Sequence, residues 1–297
     1  MLVAGLAVAA CGKTPGVAQT RTQVVLLGTG SPYPDPERSG PSVAIVIDDR
    51  PYLVDVGSGA VRRTVEATRR GVKGLSLDRL QIAFITHLHS DHTLSLPDLI
   101  LTPWVLGRTE PLVLFGPPGL GRMVEHILAA YSEDIELRTT GLEGLGGTGN
   151  QVIVHVVVPG VVYRDSVVTV TAFAVRHGSW SHAFGYRFET PDRTIVISGD
   201  AAPGPSVVES CNECDVLLHE VYSEAGFSRL NPASQEYYRA FHTSTRELAE
   251  LASRARPHLL VLYHQLLVGG STERSLLGEI ESGYDGRVES GHDLQVW

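Results

Sequence analysis

Seven residues constrain this chain more than any others: Thr86-His87-Leu88-His89-Ser90-Asp91-His92. Three imidazoles and a carboxylate so close together form a dense set of metal-ligand side chains. The apolar run Gln81-Ile82-Ala83-Phe84-Ile85 leads directly into them and reads as a strand. If that strand continues, alternation puts His87 and His89 on one face and Leu88 on the other. Asp91 and His92 then fall past the strand end, where a turning chain presents them from another side. Such an arrangement suits two adjacent metal ions better than one. The plain alternative, a polar loop with chance histidines, does not account for this density.

The 297 residues can bury a full core, and 43% hydrophobic with 19% charged residues describe a globular chain. The formal net charge of −9 argues against a broad nucleic-acid footprint, because phosphate binding wants a basic surface. Residues 1–20 read as a leader and tether, and residues 21–297 as one domain. The stretch from Met1 to Cys11 is apolar and ends Val8-Ala9-Ala10-Cys11, which resembles a bacterial lipobox, although no Lys or Arg precedes it. The expectation is an exported protein, periplasmic or anchored to the outer membrane through a lipid on Cys11. Cys211-Asn212-Glu213-Cys214 offers two thiolates, too few for a closed zinc site. A short disulfide and two unpaired cysteines both remain open.

Further along the chain, Ser42 to Ile47 and Pro51 to Val56 read as a hairpin around Asp48-Asp49-Arg50. Ala60 to Arg70 and Leu120 to Tyr131 read as helices. Leu112-Val113-Leu114-Phe115, Val152 to Val158, Val167 to Val175, Phe184 to Glu189 and Thr194 to Ile197 read as strands. Asp215 to Leu218 and Leu259 to Tyr263 are continuous apolar runs, as expected of buried strands. Between them Ser244-Thr245-Arg246-Glu247 fits a capping box. Thr140 to Gln151 is glycine-rich and reads as a loop.

One regularity runs through these segments. Apolar runs repeatedly end in a single His, Asp or Glu: His87, His177, Asp200, His219 with Glu220, and His264. Loops at one edge of a rigid sheet are where sites assemble, so these residues are candidates for a shared site. His126, His155, His258 and His292 read as structural or surface residues. Composition alone does not choose between His177 and His182.

The heptad carries the H-x-H-x-D-H signature of the metallo-β-lactamase superfamily, and the chain resembles that superfamily from Val24 to Trp297. Leu27-Gly28-Thr29-Gly30-Ser31-Pro32, Val54-Asp55-Val56-Gly57 and Ser198-Gly199-Asp200 are similar to its flanking motifs. Phe184-Gly185-Tyr186-Arg187, Leu218-His219-Glu220 and His242-Thr243-Ser244-Thr245 resemble the tRNase Z-like branch. The resemblance implies an α/β fold, a four-layer αβ/βα sandwich with its site along one edge. It implies His87, His89 and His177 on one metal, Asp91, His92 and His264 on the other, and Asp200 bridging. His177 is chosen over His182 because it ends a strand and precedes Gly178. Two zinc ions are expected, with manganese or iron as alternatives. Such a pair shares a hydroxide that is nucleophilic at neutral pH. Asp91 would orient that nucleophile, and Glu220 with His242 would form an acid–base pair.

For the reaction, the main expectation is hydrolysis of a small-molecule ester, an aryl or alkyl sulfate or a phosphodiester. Pro97 to Trp104 and Arg138 resemble arylsulfatase-type members of the branch. The alternative is tRNA 3′ processing, which three observations oppose: no room for a clamping arm between His177 and Asp200, the acidic charge, and the leader. Nucleic acid is therefore not expected as a partner. A β-lactamase proper fits less well, because the Glu220 and His242 motifs belong to the other branch. A metal-binding protein without turnover is disfavoured by the filled acid–base pair. The loops Ser31–Pro41, Trp104–Glu110 and Ser223–Phe241 would form the pocket. Trp104, Trp180, Tyr222 and Phe227 either line it or pack elsewhere.

Overall fold

The computed structural model describes residues 21–297, so the leader, its lipobox-like ending at Cys11 and the tether lie outside the described residues. The described chain forms two sheets. The first has strands β1 (Thr22–Gly28), β2 (Ser42–Ile47), β3 (Arg50–Val54), β4 (Ile82–Phe84), β5 (Leu112–Gly116) and β6 (Val152–Val156), in that order. The second has β7 (Gly160–Arg164), β8 (Thr169–Ala174), β9 (Phe184–Glu189), β10 (Thr194–Ile197), β11 (Val216–Tyr222), β12 (Leu259–Leu266) and β13 (Val288–Ser290), each beside the next. Each sheet is antiparallel at its start and parallel from β3 and β10 onward. Helices α1 (Ala60–Arg69), α2 (Ser90–Thr93), α3 (Leu96–Val105), α4 (Leu120–Ala130) and α5 (Ser132–Thr140) follow strands of the first sheet. Helices α6 (Pro205–Cys211), α7 (Glu224–Phe227), α8 (Pro232–Phe241), α9 (Thr245–Ala255) and α10 (Glu273–Glu281) accompany the second.

The near-continuous apolar runs follow from burial on both faces of each sheet. In β1, Val24 and Leu26 point into the core between the sheets, while Val25 and Leu27 point toward α1 and α3. In β11 and β12, Leu218, Val261 and Tyr263 face inward, and Leu217, Leu260 and Leu262 pack under α6, α9 and α10. The inner layer holds an aromatic knot in which Phe84 meets Phe115, Tyr186 and Phe188. The result is the four-layer αβ/βα sandwich. The C-terminal segment closes one edge by pairing with β1, Trp297 N–H donating to Val24 O at 3.0 Å and Val24 N–H to Trp297 O.

Local chemistry explains the hairpin. Asp48 and Asp49 both take left-handed φ, 46° and 64°, as a two-residue turn requires. β3 stops at Val54, one residue before Asp55, whose φ of 57° takes the chain out of the sheet. Several elements have no counterpart in the sequence reading, among them α5, which buries no residue and so has no apolar face to read, and the short edge strand β7. The Ser223–Phe241 segment is two helices rather than a loop, with Asn231 capping α8 and Pro232 opening it. Trp104 is buried inside α3, so it packs and lines no pocket. Arg108 is fully buried and donates to the carbonyls of Leu80, Leu99, Ile100 and Gly149, which ties α3 to its neighbouring loops. Cys211 and Cys214 form a disulfide, with an S–S distance of 2.08 Å.

Candidate metal centre

The segments carrying the predicted ligands meet along one edge of the two sheets. Phe184 N–H donates to Thr86 O at 3.0 Å and stitches the sheets there. Two groups of side chains form, His87 with His89, His177 and Asp200, and Asp91 with His92 and His264. His89 Nδ1 lies 2.9 Å from His87 Nε2 and 3.0 Å from His177 Nε2. His264 Nε2 lies 3.2 Å from Asp91 Oδ2, and His92 Nε2 lies 3.5 Å from the same oxygen. Asp200 faces both groups. Its Oδ2 is 3.9 Å from His87 and from His177, and its Oδ1 is 3.3 Å from His92 and 3.5 Å from His264.

Several of the rings are aimed by a partner on the far side, whereas His264 Nδ1 has none. Thr86 N–H and Oγ–H both donate to the buried Asp55, whose Oδ2 also accepts His92 Nδ1–H at 2.8 Å. His92 Nε2 is thereby left for the cluster. His177 Nδ1–H donates to Phe241 O at 2.8 Å, which leaves its Nε2 free. Trp180 Nε1 lies 2.7 Å from His89 Nε2, and the indole stands edge-on to that ring. His264 is not at a strand end. It sits inside β12 with φ 45°, opposite a register shift between His219 and Val221 of β11. A bulge of this kind re-aims a side chain out of the sheet's alternation. Glu220 likewise lies within β11 rather than after it.

Gly178 is required by this packing. A Cβ there would stand 2.0 Å from Phe241 Cζ, and its φ of 53° is strained for other residues. Gly178→Ala is expected to displace Phe241, and with it the carbonyl that aims His177. Zinc affinity measured by chelator competition should fall, while the circular-dichroism spectrum is retained; an unchanged affinity would refute this role for Gly178.

The electrostatics divide the two groups. Burial, reinforced by the neighbouring imidazoles, holds His87 well below its ordinary value and brings His177 down to about 4. Burial also lowers His89. These three rings are neutral and keep lone pairs. Burial works in the same direction on His92 and His264, but Asp200, together with Asp55 for the first and Asp91 for the second, outweighs it and raises both. Asp200 is held well below the carboxylate range because His264 and His92 override its burial. His92 Nε2 and Asp200 Oδ1 are buried without a hydrogen-bond partner. Three neutral ring nitrogens converging on one point, and a carboxylate shared with a second set, fit two cationic metals.

Beside this cluster stands Glu220. Its Oε1 accepts Thr243 N–H at 2.9 Å and Ala201 N–H at 3.3 Å, and its Oε2 lies 3.5 Å from His242 Nδ1. Burial, then repulsion by Asp200, raises Glu220 well above the carboxylate range, and burial lowers His242 to about 4. Burial thus favours the uncharged form of both partners. His242 ends α8, and Ser244 opens α9 with the expected capping box to Glu247, so both sides of the ring are anchored.

His126, His155, His182, His258 and His292 stay outside the groups. Of the aromatic residues singled out by sequence, only Trp180 touches a cluster ring; Tyr222 and Phe227 are buried against each other. Sequence reasoning gave no role to Asp55, although it stood in a recognised flank, and missed Tyr237 and Phe241. Their signal was an i, i+4 aromatic pair just before His242.

Residues 50–265 match a family model described as a beta-lactamase superfamily domain. The chain belongs to the metallo-β-lactamase superfamily. Within the superfamily it is tRNase Z-like. It is 32% identical over 276 residues to Ribonuclease Z of Mycobacterium bovis (strain BCG / Pasteur 1173P2), covering 92% of this chain and 96% of that one. Ribonuclease Z of Mycobacterium sp. (strain KMS) is 33% identical over 278 residues, with 92% and 94% covered. The crystal structure of the short form of human tRNase Z superposes with a TM-score of 0.67 at 25% identity, covering 93% of this chain and 98% of that one. A metallo-beta-lactamase fold protein of Bacillus subtilis gives a TM-score of 0.68 at 18% identity over 93% of this chain and 98% of that one, a likeness of fold alone. The chain is a metallo-β-lactamase-fold hydrolase with side-chain clusters able to hold metal.

These relatives overturn two expectations. Hydrolysis of a small sulfate or phosphodiester gives way as the main reading, because proteins matched end to end are named Ribonuclease Z. The expectation of a small-molecule ester in place of nucleic acid falls with it. The superfamily match also gives the arylsulfatase-type detail no support. Two of the three arguments against RNA, the missing arm and the charge, fail for physical reasons. With 96% of the mycobacterial enzyme covered, a missing arm does not separate the two chains. A net charge of −9 sums over the whole surface and says nothing about one cleft.

Proposed function

We propose that this chain is a binuclear metal-dependent endoribonuclease that cuts the 3′ extension from a tRNA precursor. The observation that carries this reading is the end-to-end match to Ribonuclease Z in a chain whose cleft brings Glu220 and His242 beside both ligand groups. His87, His89 and His177 would hold one metal, and Asp91, His92 and His264 the other, with Asp200 shared. The imidazole-rich sets favour zinc. Metals bound there would lower the pKa of a water molecule and neutralise charge on the scissile phosphate.

The remaining steps belong to the chain. Asp91, with one oxygen engaged by His264, takes up the proton of the attacking water on the other. His242 presents Nε2–H to the leaving oxygen and gives up that proton as the bond to phosphorus breaks. Glu220, protonated in its buried position, delivers its own proton to His242 Nδ1. Thr243 N–H and Ala201 N–H then stabilise the carboxylate this leaves. The test is cleavage of a precursor tRNA by the zinc-loaded protein, with the cut mapped to the start of the 3′ extension; a protein that holds both metals and leaves this RNA intact refutes the reading.

A further inference from the structure

α8 carries an aromatic pair that the hydrolytic chemistry leaves unused. Tyr237 and Phe241, four residues apart, lie on one face of the helix. Their rings stack at 4.5 Å with an interplanar angle of 20°. Phe241 continues the stack onto His89 at 6.3 Å and 24°, and stands edge-on to His177 at 5.0 Å. Tyr237 is the outermost ring, 44% exposed, and lies 5.8 Å from the ring of His242. Single exposed aromatics are common and need no explanation. Tyr237 differs because parallel rings run from it to a candidate metal ligand. α8 buries no residue of its own, so the pair does not belong to a hydrophobic core. The helix is nonetheless held in place. Gly178 N–H donates to Ala240 O, Gln235 donates to the Leu230 carbonyl, and the Arg239 guanidinium lies 4.8 Å over the Phe227 ring.

Resting on the ribonuclease reading, we propose that Tyr237 is a stacking platform for an unpaired base of the RNA, on the nucleotide next to the scissile phosphate. Every base offers a π-face, so such a platform grips a single-stranded extension of any sequence. Its place beside His242 sets the stacked base at the leaving-group end of the cleft. Stacking also supplies hold that does not depend on a basic surface.

Two readouts test this on the zinc-loaded full chain. The first is quenching of 2-aminopurine placed in turn at each unpaired nucleotide flanking the cut, in an RNA stem that bears a 3′ extension. Wild type and Tyr237→Phe should quench it, and Tyr237→Ala should not. The second is kcat/KM on the intact RNA and on RNAs made abasic at each nucleotide flanking the cut. Tyr237→Ala should cost about 10- to 100-fold on intact RNA, the range seen when one base loses its stacking partner. One abasic position should cost wild type the same factor and the variant nothing more. Quenching that survives in Tyr237→Ala, or an equal loss on intact and abasic RNA, overturns the platform. If wild type holds two metals yet cuts no RNA, the ribonuclease reading fails, and quenching alone then decides the platform.

Discussion

His242→Ala is expected to lower the turnover of precursor RNA by about 10²–10⁴-fold, the usual contribution of a positioned proton donor. The bound metal should stay. His242 is outside both ligand groups, and its Nδ1 faces Glu220 rather than a cluster atom. Glu220→Gln should show much of the same loss. Its amide can hold the imidazole in place, but it has no proton to give to Nδ1 at the step where the leaving oxygen takes one from Nε2. Single-turnover kinetics with metal content measured on the same sample check both variants. A His242→Ala protein that keeps two metals and full turnover would remove the acid–base pair from the mechanism.

Asp55→Asn is the second large effect, and it acts on metal affinity rather than turnover. The Asp55 carboxylate is acceptor-only, and three donors point at it: Thr86 N–H at 2.8 Å, Thr86 Oγ–H at 2.8 Å and His92 Nδ1–H at 2.8 Å. Asparagine keeps the left-handed backbone at φ 57°, which it tolerates better than most residues. Whichever way its amide is turned, however, an N–H₂ group faces a buried N–H donor. The amide either leaves His92 unaimed or strands Thr86 N–H. Loss of such an orienting partner typically costs about 10–100-fold in metal affinity. Zinc competition against a chromophoric chelator measures it, and an affinity equal to wild type would show that Asp55 does not aim His92.

How much of this was legible in the sequence depends on what kind of signal each residue leaves. His87, His89 and His92 stood out because an apolar strand led straight into them, and His177 and Asp200 because each follows an apolar run. His264 and Glu220 were picked out by type but placed at strand ends. A bulge inside a strand leaves no trace in alternation, and only the register between β11 and β12 reveals it. The sheets were legible wherever burial on both faces produced long apolar runs. α5 and α8 bury nothing, so neither showed a hydrophobic stripe, and the Tyr237–Phe241 stack went unread with α8. The substrate was misread because a whole-chain charge and a missing insertion were taken to describe one cleft. The surface a phosphate meets is local, and the total of −9 does not determine it.

The most direct measurement incubates the zinc-loaded protein with a tRNA precursor bearing a 3′ extension, next to the same tRNA without it. The account predicts one cut that releases the extension, lost on chelation, restored by zinc, and reduced in His242→Ala. An intact precursor in the presence of protein carrying two metals per chain would contradict it.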